Sequence, residues 1–121
     1  MVDVVKVRLE NMPWEIVRDD FRRRIVTGEK LMVAQLSISK GGKVAMHKHV
    51  HEQFTVVLEG SIKFVFETGL EFVAQKGEIV VIPSNVGHAA EAIEDTITFD
   101  IFAPPREDWL TGRDDYLRQK T

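Results

Sequence analysis

Between residues 21 and 102 the sequence alternates short runs of apolar, β-branched and aromatic residues with turns rich in glycine. Such runs favour extended backbone, and the glycine-containing breaks favour tight turns between strands. Strands at this regular spacing predict an all-β sandwich or barrel rather than alternating strands and helices. The predicted strands are Phe21–Thr27, Leu31–Ser39, Gln53–Glu59, Ser61–Glu67, Leu70–Ala74, Glu78–Ile82, His88–Ile93 and Thr96–Phe102.

Chain length and composition narrow the class of protein further. A chain of 121 residues predicts a single domain over residues 1–121, with a core barrel at about residues 21–102. The absence of cysteine excludes disulfides and thiolate metal ligands. A formal charge of −3 argues against a nucleic-acid partner. Because the sequence has neither a membrane-spanning apolar run nor a signal-peptide pattern, we expect a cytoplasmic protein with no membrane partner.

The segments on either side of the predicted barrel have different patterns. The apolar-rich segment Val2–Leu9 is predicted to be a further strand, and residues 12–15 a loop. After the barrel, Pro105 and the acidic residues that follow it predict the start of a short helix, because proline and acidic side chains are favoured in a first helical turn. Residues 114–118 are predicted to form another turn.

The one basic cluster, Arg22-Arg23-Arg24, lies within a predicted strand. Side chains alternate along a strand, so Arg22 and Arg24 are predicted on one face and Arg23 on the other. We interpret these arginines as solvated charges that protect a strand edge from pairing with another chain.

Three of the four histidines lie close together, in the segment His47-Lys48-His49-Val50-His51. On a strand, His47 and His49 would share a face. Neutral imidazoles that converge in this way bind divalent ions such as Zn, Mn, Fe, Ni or Cu. The pattern therefore predicts a site for one divalent metal ion, whose identity the sequence leaves open.

The histidines are part of a longer ordered pattern, Gly41-(five residues)-His47-x-His49-(three residues)-Gln53-(six residues)-Gly60. A second ordered run is Gly77-(five residues)-Pro83-x-Asn85-(two residues)-His88. In order and separation, these two runs resemble the two sequence motifs of the cupin family.

The two motifs depart from the family pattern at three positions. Cupins usually have Glu where this chain has Gln53, and they often have Asn where it has Ala92. Asn85 stands in the place of a glycine, a mild change because Asn tolerates a positive φ angle better than most residues.

The resemblance implies an all-β cupin fold, a double-stranded β-helix or jelly-roll-like barrel of about six to eight strands. It also implies one divalent metal ion inside the barrel near an open end, with the ligands His47, His49, Gln53 and His88. His51 and Glu52 remain alternative ligands. On a strand, His51 would share the face of His47, whereas Glu52 would point the opposite way from Gln53.

Gln53 carries chemical information about the predicted metal site. An amide in place of a carboxylate removes one negative charge, so the bound ion polarises oxygen ligands more strongly. This favours Lewis-acid chemistry over the two-histidine-one-carboxylate chemistry of iron oxygenases. We therefore expect Gln53→Glu to bind metal more tightly and to lower Lewis-acid activity.

The last predicted strand has Thr98, Asp100 and Phe102 on one face. If this face points into the barrel, Asp100 is a desolvated carboxylate suited to general acid–base catalysis. If it does not, Asp100 is an exposed or barrel-end aspartate that accepts backbone hydrogen bonds.

The stretch from Asp100 to Leu110 is similar to the tail of the KdgF-like pectin-degradation cupins, which help to convert unsaturated uronates to linear keto sugars. This resemblance implies that Asp100 is the catalytic acid or base. It implies that Phe102 and Arg106 contact the substrate.

The leading hypothesis is a non-redox, metal-dependent enzyme that opens or isomerises a small carboxylated sugar, with Arg106 holding the substrate carboxylate bidentately. Three alternatives remain: a cupin dioxygenase that uses Fe, Mn or Cu, a small nucleoside dehydratase that works without metal, and a non-enzymatic sugar- or metal-sensing cupin. We expect a homodimer in which Val2–Leu9 covers the sheet of the partner.

Overall fold

The computed structural model describes residues 3–118, and its strands form two antiparallel sheets. The strands are β1 Glu15–Arg18, β2 Phe21–Thr27, β3 Met32–Ile38, β4 Lys43–His47, β5 Glu52–Glu59, β6 Ser61–Phe66, β7 Glu71–Gln75, β8 Ile79–Ile82, β9 His88–Ala92 and β10 Thr96–Ala103. The strand order is β1-β2-β3-β10-β5-β8 in the six-stranded sheet and β4-β9-β6-β7 in the four-stranded sheet. The predicted all-β, jelly-roll-like fold is confirmed.

The core lies inside the barrel because alternate residues of each strand point inward. On β3 the inward residues are all apolar: Met32, Ala34, Leu36 and Ile38. On β10, which pairs with β3 on one side and with β5 on the other, they are Thr96, Thr98, Asp100 and Phe102. Strand β10 therefore brings three polar side chains, Thr96, Thr98 and Asp100, into the barrel interior.

The N-terminal region differs from the sequence-based prediction. Residues 3–8 form no strand and Leu9–Asn11 is a single 3₁₀ turn, whereas Val2 lies outside the described residues. Glu15, predicted in a loop, begins β1, which pairs with β2. The physical reason is that a strand requires a neighbour with free hydrogen-bonding groups, which an apolar pattern alone does not reveal.

Two short helices, α1 Glu107–Leu110 and α2 Asp115–Arg118, follow β10 as predicted. We call residues 104–118 the C-terminal cap, because they cover one end of the barrel. Trp109 of α1 and Leu117 of α2 are buried and line the internal cavity. Within residues 3–118, no helix is long and apolar enough to cross a bilayer.

Arg23 lies between the barrel and the C-terminal cap, and its side chain has no solvent exposure. The interpretation of Arg23 as a solvated charge was therefore wrong, because the alternation of β2 turns this side chain inward. Its Nη2 lies 2.6 Å from Oδ2 of the equally buried Asp114, and its Nε donates to Oε1 of Glu15 at 2.9 Å. The guanidinium also lies 4.6 Å from the ring centroid of Trp109. These contacts fasten the cap to β1 and β2.

We expect Asp114→Ala to lower the free energy of unfolding by about 3 kcal/mol, because it leaves the buried guanidinium of Arg23 with Glu15 as its remaining ion-pair partner. The control is Glu10→Ala, which breaks the exposed ion pair with Arg8 and should cost less than about 0.5 kcal/mol. Urea titrations of both variants measure the difference. Equal effects would contradict the fastening role of Asp114.

Candidate metal centre

Three histidines converge at one end of the barrel. The ligand nitrogens of His47, His49 and His88 all lie within 4.8 Å of one another. Their ring centroids are 4.4 Å apart for His47 and His88, 5.1 Å for His49 and His88, and 5.5 Å for His47 and His49. We call these residues the histidine cluster, which could hold a metal ion.

Sheet register and one turn bring the histidine cluster together. His47 ends β4 and is the direct cross-strand partner of His88, which begins β9. His49 lies beyond the end of β4, so it reaches the cluster from a loop rather than from a strand. The loop is held by Asn85, whose backbone N–H donates to the carbonyl oxygen of His49 at 2.8 Å. Asn85 has a φ of 63°, the left-handed conformation anticipated from its place in the second motif.

The hydrogen bonds of the rings leave Nε2 of each histidine for a ligand. Nδ1 of His47, His49 and His88 lies 2.8, 3.1 and 2.9 Å from a backbone carbonyl oxygen. Since a carbonyl oxygen only accepts, Nδ1 carries the proton and Nε2 has the free lone pair. The buried Nε2 atoms of His49 and His88 have no hydrogen-bond partner among the described residues. This arrangement fits a divalent metal ion.

The electrostatic environment keeps the histidine cluster neutral. Burial lowers the pKa of His47 to about 4 and the pKa of His49 to about 3. Burial also lowers the pKa of His88. The positive charge of Arg106 lowers all three pKa values further. The imidazoles therefore have the unprotonated form that metal binding requires.

Gln53 and Asp100 lie beside each other on the inner face of the six-stranded sheet. Nε2 of Gln53 donates to Oγ1 of Thr55 at 3.0 Å and to Oδ2 of Asp100 at 3.2 Å. Oγ1 of Thr98 donates to Oδ1 of Asp100 at 2.9 Å. Burial raises the pKa of Asp100 to about 7, although hydrogen bonds from Thr98 and Thr55 lower it. Of the two positions considered for Asp100, inside the barrel or exposed, the structure thus shows the first.

Arg106 is 2% exposed and lies between two aromatic rings. Its guanidinium carbon is 5.0 Å from the ring centroid of Phe102 and 4.9 Å from that of Trp109. Nε and Nη2 donate to the two carboxylate oxygens of Asp108 at 3.0 and 2.8 Å, and Nη2 also donates to the hydroxyl of Tyr116. One bidentate edge of the guanidinium therefore has an internal partner in this conformation.

An internal cavity connects these groups. Its lining includes Phe102 and the polar residues His47, Gln53, Thr55, His88, Thr98, Asp100 and Arg106. About 40 Å³ is available inside it to water-sized molecules, which is room for a few waters. Trp109 and Leu117 of the C-terminal cap form part of its wall.

The two alternative ligands lie outside the histidine cluster. His51 is not among the ligand nitrogens that lie within 4.8 Å of one another, although its ring contacts that of His49, and its buried Nδ1 has no hydrogen-bond partner within residues 3–118. Glu52 is exposed on the outer face of β5, as the alternation beside Gln53 predicted.

Two residues that sequence reasoning did not single out contribute to the site. The ring of Tyr116 lies 4.8 Å from that of His47, and Asp108 forms the ion pair with Arg106. Both belong to the cap, and no periodic pattern indicates which way a short helical segment folds back over a barrel. The available signal was composition: aromatic and acidic residues after Pro105.

Known proteins are similar to this chain in sequence and in fold. A family model described as a cupin domain matches residues 35–102. The structure of KdgF from Halomonas sp. is 28% identical, with a TM-score of 0.77 over 83% of this chain and 94% of that chain. An RmlC-like cupin from Shewanella frigidimarina NCIMB 400 has the same identity and TM-score over 83% of this chain and 90% of that chain.

More distant relatives share the fold alone. Oxalate decarboxylase from Bacillus subtilis, which has Mn(II) centres, is 19% identical, with a TM-score of 0.71 over 88% of this chain and 31% of that chain. The sequence has no significant match among curated proteins.

We expect the protein to bind up to one divalent ion per chain, and His49→Ala to lose most of it. Because the pKa values of His47 and His49 are lowered to about 4 and 3, protons should compete with metal only as the pH falls toward these values. A loss of affinity centred near the ordinary histidine pKa of about 6.5 would contradict the buried, neutral cluster. Co²⁺ titrations from about pH 5 to pH 8 measure this, with His51→Ala as a control that retains the metal.

Proposed function

This chain belongs to the cupin family, and we propose that it is a non-redox, metal-dependent enzyme acting on a small carboxylated sugar. The substrate class that we propose, from the resemblance to KdgF-like cupins, is an unsaturated uronate. One observation carries the proposal: a buried carboxylate, Asp100, and a buried guanidinium, Arg106, line the same cavity as His47 and His88. Proton transfer and anion binding are the two functions that such a reaction needs.

The proposed metal ligands are His47, His49, Gln53 and His88, and the candidate ions are Zn, Ni, Mn, Fe and Cu. A divalent ion bound there supplies a Lewis acid that polarises a substrate oxygen. All four side chains are neutral, so no ligand offsets the charge of the ion. This donor set favours Lewis-acid chemistry over iron oxygenase chemistry, which uses two histidines and one carboxylate.

Asp100 is proposed to move the protons. Ring opening transfers a proton from the anomeric hydroxyl to the ring oxygen, and the enol–keto step transfers one from the enol oxygen to the neighbouring carbon. A single carboxyl group can serve both transfers with no net gain or loss of protons. Hydrogen bonds from Gln53 and Thr98 hold the carboxylate of Asp100 in a fixed position on the cavity wall, which supports this role.

Arg106 is proposed to attract and hold the substrate carboxylate. Its positive charge acts on every residue of the histidine cluster, so the potential in the cavity favours an anion. Since Asp108 occupies the edge formed by Nε and Nη2, a substrate carboxylate would approach the Nη1 side or replace Asp108. Phe102 packs on the guanidinium and is proposed to contact the sugar.

Substrate binding also requires more room than the cavity offers in this conformation. Small-molecule sites commonly enclose about 300–1,000 Å³, whereas the space available to water-sized molecules is about 40 Å³. We therefore propose that part of the C-terminal cap moves when a sugar enters.

We expect the metal-loaded enzyme to convert a 4,5-unsaturated uronate, measured as loss of the ultraviolet absorbance of its double bond. Asp100→Asn should lower kcat by about 10²–10⁴-fold with metal content unchanged, the usual effect of removing a general acid–base group. Arg106→Lys keeps the charge but loses the planar fork, so it should mainly raise KM.

The controls for this assay address the alternative functions. Turnover should be unchanged without O₂, whereas a dioxygenase would stop. A fully active Asp100→Asn variant would remove Asp100 from the mechanism. No conversion by the metal-loaded wild type would contradict the proposed substrate class.

We also propose that the protein forms a homodimer. The outer face of the six-stranded sheet exposes Phe54, Ile79 and Val81 near its β8 edge, a contiguous apolar surface that favours association. Residues 3–8 carry the exposed side chains of Val4 and Val5 and form no strand within the described part of the chain. A second copy can cover both surfaces at once, because twofold symmetry lets each chain offer its N-terminal segment to the other sheet.

Light scattering at micromolar concentration should therefore give the mass of a dimer. Val81→Arg places a charge in the centre of the apolar surface and should shift the equilibrium toward monomer. Leu70→Arg changes an equally exposed apolar residue in the turn before β7 and should leave the dimer intact. A monomeric wild type, or a dimeric Val81→Arg variant, would contradict this arrangement.

A further inference from the structure

We propose that Asp100 and Thr55 orient the side-chain amide of Gln53, so that its oxygen and not its nitrogen is presented to the metal site. Asp100 is thus a positioning residue in addition to its proposed role with substrate. This inference rests on the proposed role of Gln53 as a metal ligand.

The geometry supports one orientation of the amide. Nε2 of Gln53 donates to Oγ1 of Thr55 at 3.0 Å and to Oδ2 of Asp100 at 3.2 Å, which engages both of its N–H groups. Thr55 and Asp100 are direct cross-strand partners in the pairing of β5 with β10. Oε1 of Gln53 accepts no hydrogen bond from any other residue in the range 3–118. The nitrogen end is therefore fixed to the sheet, and the oxygen end is left for a ligand.

The chemistry of an amide makes this orientation important. The two ends of the group have nearly the same shape, but only the oxygen has a lone pair that binds a divalent cation. Both oxygens of Asp100 accept hydrogen bonds, Oδ2 from Gln53 and Oδ1 from Thr98, so this carboxyl group selects the N–H end of Gln53. All four members of the network, Gln53, Thr55, Thr98 and Asp100, are buried, which makes an orientation with unpaired N–H groups costly.

The same contact explains why an amide stands where cupins usually have Glu. A Gln53→Glu variant would place a second carboxyl group at the position where Nε2 of Gln53 now lies 3.2 Å from Oδ2 of Asp100, and like charges this close repel each other. The amide at position 53 and the carboxylate at position 100 are therefore a matched pair. This modifies the simple expectation from charge alone that Gln53→Glu binds metal more tightly.

Co²⁺ binding to the full-length protein tests the inference, with affinity from competition with a chelating indicator and ligation from the visible absorption spectrum. Asp100→Leu should weaken Co²⁺ binding by about tenfold and shift the spectrum toward that of Gln53→Ala. Asp100→Asn should bind within about threefold of wild type, because its Oδ1 can still accept from Nε2 of Gln53. Thr96→Val, a buried β10 change outside the network, is the matched control and should bind normally.

A reversed pair provides the sharper test. Gln53→Glu combined with Asp100→Asn restores an amide–carboxylate contact with the donor and acceptor exchanged. The double variant should bind Co²⁺ at least about tenfold more tightly than Gln53→Glu alone, whereas Asp100→Asn in the wild-type background should change affinity by no more than about threefold. Independent positions would not give such a non-additive result. If Gln53→Glu alone binds as tightly as the double variant, the matched pair is overturned.

The remaining outcomes separate the inference from the proposed function. Wild-type affinity and spectrum in Asp100→Leu, together with loss of both in Gln53→Ala, would overturn the positioning role while leaving Gln53 a ligand. Wild-type binding by Gln53→Ala would overturn the ligand assignment and the inference together. Circular dichroism checks that each variant folds. If Asp100→Leu does not fold, Thr55→Val replaces it. We then expect a several-fold loss of Co²⁺ affinity, and an unchanged affinity would contradict the inference.

Discussion

Strand β10 makes backbone hydrogen bonds along both edges, to β3 on one side and to β5 on the other. This double pairing holds its register, and a shift of one residue would turn Asp100 and Phe102 outward and bring Phe99 and Ile101 into the barrel. The register also sets Phe102 opposite Gln53 and Asp100 opposite Thr55. The pairing of the strands therefore decides which side chains line the candidate site.

The two charged side chains of the cavity, Asp100 and Arg106, are stabilised by different partners. Arg106 is paired with Asp108, whereas Asp100 accepts hydrogen bonds from Gln53 and Thr98 and has no ion-pair partner within the described residues. Buried charges require such compensation. Asp100 and Arg106 are therefore not paired with each other, although both line one small cavity next to neutral imidazoles.

The sequence was sufficient for the fold class and for the residues of the histidine cluster, because motif spacing and alternation are local properties. The positive φ of Asn85 and the shared face of Thr98, Asp100 and Phe102 are of this kind. It was not sufficient for features that depend on distant segments. That His49 reaches the cluster from a loop depends on its contact with Asn85, and the burial of Arg23 depends on an aspartate ninety-one positions later, Asp114.

The C-terminal cap has two parts with different attachments. Helix α2 is held by the buried pair of Arg23 with Asp114 and by Arg118, which binds Asp114 and Glu15. Breaking a buried ion pair leaves an uncompensated charge and costs several kcal/mol.

Helix α1, in contrast, is held over the cavity by Trp109. Its Nε1 donates to the hydroxyl of Tyr116 in α2 at 3.1 Å, and its ring contacts Phe102 and the guanidinium groups of Arg23 and Arg106. Such contacts contribute about 0.5–2 kcal/mol each. Gly112, with a φ of 73°, separates the two helices at a position where glycine turns without strain. An opening that moves α1 between Pro105 and Gly112, and leaves α2 in place, therefore costs less than one that detaches the whole cap.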